Sequence, residues 1–216
     1  MVLITYTSIA SPISESIYSK YQPLLSTYDQ HRLKSFIRKK SADATLAGRI
    51  LLLENAHSLN YSINLSDIKT STAGKPYLPN GPFFSISHSA EYVVCAISAD
   101  EQPGIDIEKK RPFAINGFQD QFSDKEWETI ISAKDQTGQL LKYWCVKEAL
   151  LKKIGMGLEV PMKEVFIKND KVTYQERDYY STIIPISDEY STTLVTSNKP
   201  EYEIRPFNLQ EVSIEN

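Results

Sequence analysis

A Pro103-Gly104 break divides the chain near its middle, and each side of it carries the same two patterns, helical periodicity and short β-branched runs. On the first side, residues 2–9 read as an opening strand. Apolar residues then recur at helical spacing over about 24–36 and 41–59, with Leu46, Ile50, Leu53 and His57 along one stripe. Gly48, inside the second of these helices, costs about 1 kcal/mol against alanine, which fits close approach by a ligand or another backbone as well as a tolerated interior glycine. A stretch rich in turn formers, 72–82, precedes strand-like runs at 83–87 and 92–98, so a hairpin around His88 is expected.

On the second side, residues 105–108 alternate apolar and acidic as a half-buried strand does. Ser123 and Glu126 have capping-box spacing and open a helix to about Ala133; a longer helix runs from about Gly138 to Ile154, ended by Gly155 and Gly157. Five short runs follow, 164–168, 171–176, 180–186, 192–197 and 202–206, and predict an antiparallel meander. The expected class is therefore α+β, with lobes at 1–103 and 104–216, each combining helices with an antiparallel sheet. No sequence repeat relates the halves.

With 216 residues, 41% apolar and 24% charged, and a formal charge of -3, the chain is an ordinary globular protein whose bulk charge gives no reason to expect a nucleic-acid partner. An anionic ligand must be gathered by local clusters of Lys, Arg and His. Cys95 and Cys145 sit in apolar runs without metal-ligand spacing and read as reduced core thiols, which favours the cytoplasm. No stretch approaches the roughly 20 apolar residues of a membrane span, and the first residues carry no basic leader with a long apolar block, so neither secretion nor membrane attachment is expected.

Three groups of residues can carry chemistry. Asp106 and Glu108, one residue apart on a strand, project from one face and can chelate a hard cation such as magnesium, although a solvated acidic strand face has the same pattern. On the later helix, Trp144, Glu148 and Lys152 succeed one another at i, i+4, with Lys147 beside them. A surface Glu148–Lys152 ion pair explains that spacing too, but the charges interrupt an otherwise apolar segment and need partners. Ser87-His88-Ser89, between two strands, offers hydroxyls, an imidazole and turn amides to a phosphate, and Lys75 in Gly74-Lys75-Pro76 can add a point charge.

In order, Gly74-Lys75-Pro76, Ser87-His88-Ser89, Gly104-Ile-Asp106-Ile-Glu108 and Trp144-Cys-Val-Lys147-Glu148-Ala149-Leu-Leu-Lys152 resemble the motifs of the Sfp-like 4'-phosphopantetheinyl transferases. Gly155-Met-Gly157-Leu158 continues the likeness, with a fainter echo at Leu46-Ala-Gly-Arg49. The resemblance implies two similar lobes related by a pseudo-twofold axis, with coenzyme A as co-substrate in the cleft between them. It implies that Asp106, Glu108 and Glu148 hold magnesium and that Lys75, Ser87 and His88 contact coenzyme A. Arg32, on a basic helix, is a candidate for the 3'-phosphate. The implied reaction moves the phosphopantetheine arm onto a serine of an acyl or peptidyl carrier protein in fatty-acid, polyketide or non-ribosomal peptide synthesis. Lys152 would stabilise the transferring phosphate; the base is Glu148, directly or through a water, or neutral Lys152. Two lobes in one chain complete a site without a second copy, which points to a monomer. Another magnesium-dependent phosphoryl enzyme would show a similar acidic triad, and a catalytically silent carrier-protein binder would keep the same fold.

Overall fold

The segment Tyr92–Ser98 is apolar without alternation because both of its faces are covered. Val93, Cys95 and Ile97 pack with the helices of the first half, while Val94 and Ala96 pack with Ile105, Ile107, Ile184 and Leu194 of the second. A core shared between the halves thus joins the two sheets. The computed structural model describes residues 1–157 and 160–212; Leu158, the last residue of the fourth motif's extension, lies outside them.

Chain order is β1 (Val2–Ser8), α1 (Glu15–Tyr21), α2 (Thr27–Ser35), α3 (Lys39–Ser58), β2 (Lys69–Thr70), β3 (Pro76–Tyr77), β4 (Phe83–Ser89), β5 (Tyr92–Ser98) and β6 (Gly104–Lys109). Then come α4 (Asp124–Ser132), α5 (Gln136–Ile154), β7 (Phe166–Lys168), β8 (Lys171–Tyr174), β9 (Arg177–Ile183), β10 (Tyr190–Thr196) and β11 (Tyr202–Pro206). The first sheet is ordered β11-β1-β5-β4 and the second β6-β10-β9-β8-β7, with β2 and β3 as a separate pair. Within them β1-β5-β4 and β6-β10-β9 have the same antiparallel connectivity, each with a long helix between its first and second strands in sequence, α3 in one and α5 in the other. The α+β architecture of two similar halves is therefore present, although no sequence repeat betrays it.

The helices begin where local chemistry caps them. Ser26 accepts from the Asp29 N–H at 3.2 Å, Ser123 and Glu126 form the reciprocal capping box, and Asp135 accepts from the Gly138 N–H at 2.8 Å. Helix α5 ends at Gly155 in the left-handed region, φ 75°, where glycine meets no Cβ penalty. Gly48 faces Ile86 of β4, whose Cγ2 would stand 2.8 Å from an added Cβ; the close approach is by a side chain of the sheet.

Four sequence expectations need correction. Helix α3 is buried well beyond one stripe, because the sheet covers one side and α1 and α2 the other, and His57 is exposed. Strand β6 is buried on both faces from Gly104 to Ile107, including Asp106 at 3% exposure, rather than half-buried. Residues 202–206 leave the meander and pair parallel to β1, Val2 opposite Tyr202, because β1 has a free edge on the first sheet. The hairpin turns at Ala90 and Glu91; Ser87, His88 and Ser89 lie within β4, opposite Val94, Val93 and Tyr92.

Candidate functional site

The two carboxylates of β6 point the same way by strand alternation, toward the gap between β6 and β4. Asp106 Oδ1 accepts from Ser87 Oγ at 2.8 Å and from Lys152 Nζ at 2.6 Å. Lys152 Nζ also donates to Ser87 Oγ at 2.7 Å, closing a three-membered cluster built from β4, β6 and α5. Glu108 accepts from Ser89 Oγ at 2.7 Å through Oε2. Asp106 Oδ2 is buried and meets no N–H or O–H donor among the described residues, while the buried Cys145 thiol, a weak donor, stands next to Asp106.

Burial holds the Glu148 carboxyl above its ordinary pKa, and repulsion from Asp106 adds to the shift against the pull of Lys152. Glu108 is likewise raised, first by burial and then by Asp106, while the Ser89 hydrogen bond, Lys152 and Arg111 oppose. Negative charge is thus in excess here, which is the condition a dication relieves. Among the described residues, no three His, Cys, Asp or Glu side chains are already gathered as a cation site.

Next to this cluster a cavity of about 220 Å³ opens between the halves, lined by Ala73, Phe84 and Ile86 on one side and Leu151, Gly155 and Gly157 on the other. Lys75 reaches across it and donates to the backbone carbonyls of Lys152, at 2.5 Å, and Lys153, at 3.2 Å. An ammonium group on the last carbonyls of a helix is favoured by the helix dipole. Desolvation, and then the Lys153 charge, bring its pKa down to about 8. His88 is exposed, yet enough protein surrounds the ring that desolvation, followed by the Lys152 and Arg32 charges, holds its pKa below the usual value. Arg32, exposed on α2, lies over the Phe36 ring at 5.6 Å.

Residues 102–202 match the model of the 4'-phosphopantetheinyl transferase superfamily, and residues 11–100 match that of the 4'-phosphopantetheinyl transferase N-terminal region. The chain is 34% identical over 165 residues to the 4'-phosphopantetheinyl transferase Sfp of Bacillus subtilis, covering 73% of this chain and 72% of that protein. This chain belongs to the 4'-phosphopantetheinyl transferase superfamily. It is also 34% identical over 148 residues to the human L-aminoadipate-semialdehyde dehydrogenase-phosphopantetheinyl transferase, covering 60% of this chain and 48% of that longer protein.

For a member of this family, the sequence motifs converge unevenly. Asp106, Lys152 and Ser87 are in hydrogen-bond contact, Glu108 and Glu148 lie within electrostatic reach of Asp106 and Lys152, and His88 within reach of Lys152 and Arg32. Lys152 takes Asp106 as its ion-pair partner, so the surface Glu148–Lys152 pair is not what the i, i+4 spacing encodes. Trp144 belongs to the core, edge-on to Phe118 at 5.8 Å between ring centres. Lys147, fully buried, donates at 2.8 Å to Glu126 and to the carbonyls of Met162 and Val165, holding the segment after α5 against the helix that carries Glu148. The turn amides once expected to cradle a phosphate are not at Ser87–Ser89, because those residues are in the β4–β5 ladder.

Sequence reasoning passed over Ser85 and the buried pair of Asp29 with Arg49. Alternation of serine through Ser85-Ile-Ser87-His-Ser89 was the available signal for the first. Cys95 and Cys145 are free buried thiols, as read; burial pushes Cys95 up to about 12. No described helix is long and apolar enough to cross a membrane.

Proposed function

We propose that the protein transfers the 4'-phosphopantetheine group of coenzyme A to a serine hydroxyl of an acyl or peptidyl carrier protein, releasing 3',5'-adenosine bisphosphate. The observation that carries this reading is the Lys152–Asp106–Ser87 cluster, set beside Glu148 at the cavity between the halves of a chain from this family. Asp106 Oδ2, without an N–H or O–H donor among the described residues, and the mutual repulsion of Asp106, Glu108 and Glu148 fit a divalent cation, magnesium, held by these three carboxylates. When bound, such an ion neutralises phosphate charge and polarises phosphoryl oxygens.

The remaining roles fall to the chain's own groups. Lys152 presents a compact positive charge to the phosphoryl group, since an interaction that tightens as charge shifts in transfer raises turnover. Glu148 accepts the carrier serine proton directly or through a water, with Lys152 in neutral form as the other candidate. His88 and Arg32 meet coenzyme A phosphate, and the apolar walls formed by Phe84, Ile86 and Leu151 suit the pantetheine arm. Lys75 lines the cavity and Ser87 belongs to the cluster beside it; Lys75 acts at the end of α5, where its ammonium is already fixed.

The division into residues 1–103 and 104–216 is proposed with one exchange, β11 being lent back to the first sheet. The site needs no residue from a second copy, which favours a monomer, and the acceptor is a cytoplasmic carrier protein of fatty-acid, polyketide or non-ribosomal peptide synthesis. The deciding measurement is the intact mass of an apo carrier protein after incubation with this protein, coenzyme A and magnesium. A gain of one phosphopantetheine is expected, dependent on both additions. An unchanged carrier mass across carriers of all three pathway types would overturn the reading.

A further inference from the structure

Strands β4 and β6 are the outer strands of different sheets, and they lie side by side in the middle of the molecule. The outward N–H groups of β6, at Ile105, Ile107 and Lys109, are met by hydroxyls: Ser85, Ser87 and Ser89 accept from them at 3.1, 3.4 and 3.1 Å. Alternation on both strands keeps the register, so side chains replace a strand partner on an otherwise open sheet edge. Each serine also stands beside the β6 residue just before the N–H it caps, and these residues are Gly104, Asp106 and Glu108. A hydroxyl whose lone pair is taken by a backbone N–H has its own proton left to give. Ser87 gives it to Asp106 and Ser89 to Glu108; Ser85, level with Gly104, meets no carboxylate among the described residues.

We infer that Ser89 is a positioning residue for the cation site: anchored on the Lys109 N–H, its hydroxyl fixes Glu108 through Oε2 and leaves Oε1 to the ion. The inference rests on the carboxylate reading given above and adds to it a residue outside the ligand set. Outer-shell donors of this kind orient a ligand before the ion arrives, and their loss typically weakens binding by about 10–100-fold. Ser87 is a poorer probe of the idea, because it also accepts from Lys152. The serine ladder supplies its own control in Ser85, which has the same backbone bond and, among the described residues, no carboxylate partner.

The test uses manganese ion as probe, with binding read from the loss of the free-ion electron paramagnetic resonance signal in the presence of saturating coenzyme A. Wild type, Ser89→Ala, Ser89→Thr and Ser85→Ala are compared after their thermal unfolding midpoints confirm a folded chain. Ser89→Ala is expected to weaken manganese binding on the order of tenfold, Ser89→Thr to restore most of it, and Ser85→Ala to bind as wild type does. Equal affinity in Ser89→Ala and wild type overturns the inference. Equal weakening in Ser85→Ala and Ser89→Ala also overturns it, because the loss would then come from a loosened ladder. A wild-type protein that takes up no manganese overturns the carboxylate reading itself, and the Ser89 inference with it.

Discussion

Arg49 of α3 grips the Asp29 carboxylate of α2 with two hydrogen bonds, Nε to Oδ2 at 2.7 Å and Nη2 to Oδ1 at 3.1 Å, and both side chains are almost wholly buried. A forked pair of this kind sets the distance and rotation of α2 on α3. Arg32 lies one helical turn beyond Asp29, so the pair also sets where that guanidinium stands relative to His88. Arg49→Met should cost about 3–5 kcal/mol in urea unfolding, because it strands a buried carboxylate. Asp29→Leu combined with Arg49→Met should recover part of that loss. Additive losses in the double variant would show that the two residues do not act as a pair.

Gly104 is where β6 passes under α5, and a Cβ there would stand 1.9 Å from the Ala149 carbonyl oxygen and 2.7 Å from the Lys153 nitrogen. Both obstacles are backbone, so the helix or the strand must move. Asp106 and Lys152 sit on these two elements 2.6 Å apart, and any separation acts on that contact directly. Gly104→Ala should therefore lower stability by roughly 1–3 kcal/mol and lower transfer activity by more than the folded fraction explains. Activity that tracks the folded fraction would confine the glycine to packing.

These two cases show what the sequence does and does not disclose. Strand alternation put Asp106 and Glu108 on one face, and helical spacing put Glu148 and Lys152 on another, so the parts of the site were legible locally. Which partner Lys152 takes was not, since Asp106 is 46 residues away and only the packing of α5 over β6 brings it near. Gly48 was visible as an anomaly and Gly104 only as part of a break, and what crowds them is set by tertiary contact. The last strand was misplaced for the same reason: residues 202–206 read locally as one more strand, and the choice between two sheets depends on which edge is free. The buried pair of Asp29 with Arg49 was not legible, because burial of α2 against α3 has no local signature.

His88 gives the pH dependence. Its pKa is lowered in the free protein by desolvation and by the Lys152 and Arg32 charges, so near neutral pH the ring is uncharged. A phosphate dianion beside it favours the imidazolium and raises that pKa on binding. Linkage then requires proton uptake when coenzyme A binds, with affinity increasing as pH falls through the raised value. Calorimetric titrations in buffers of different ionisation enthalpy should show this uptake, and His88→Gln should abolish it. Binding with no proton exchange in the wild type between pH 6 and 8, on the order of the histidine range, would remove His88 from the phosphate contact.

Lys152 is the residue whose role the geometry constrains most. Its ammonium lies between a carboxylate oxygen at 2.6 Å and a hydroxyl at 2.7 Å, with the side chain 30% exposed on the cavity side. A purely structural pair would make alanine a stability variant: Asp106 would lose its cation, the unfolding midpoint would fall, and chemistry in the folded molecules would continue. A lysine that acts on the transferring phosphate predicts a different separation. Charge moves toward the bridging and leaving oxygens during transfer, so its contribution grows at the transition state and is small in the bound ground state. Lys152→Ala should then lower the single-turnover rate at saturating coenzyme A by roughly 10²–10³, as removal of an electrostatic stabiliser does elsewhere, with coenzyme A affinity nearly unchanged. Lys152→Arg should recover little, since a planar guanidinium does not fit between Asp106 Oδ1 and Ser87 Oγ as a point charge does. An unchanged single-turnover rate in folded Lys152→Ala protein would leave this lysine only its bond to Asp106.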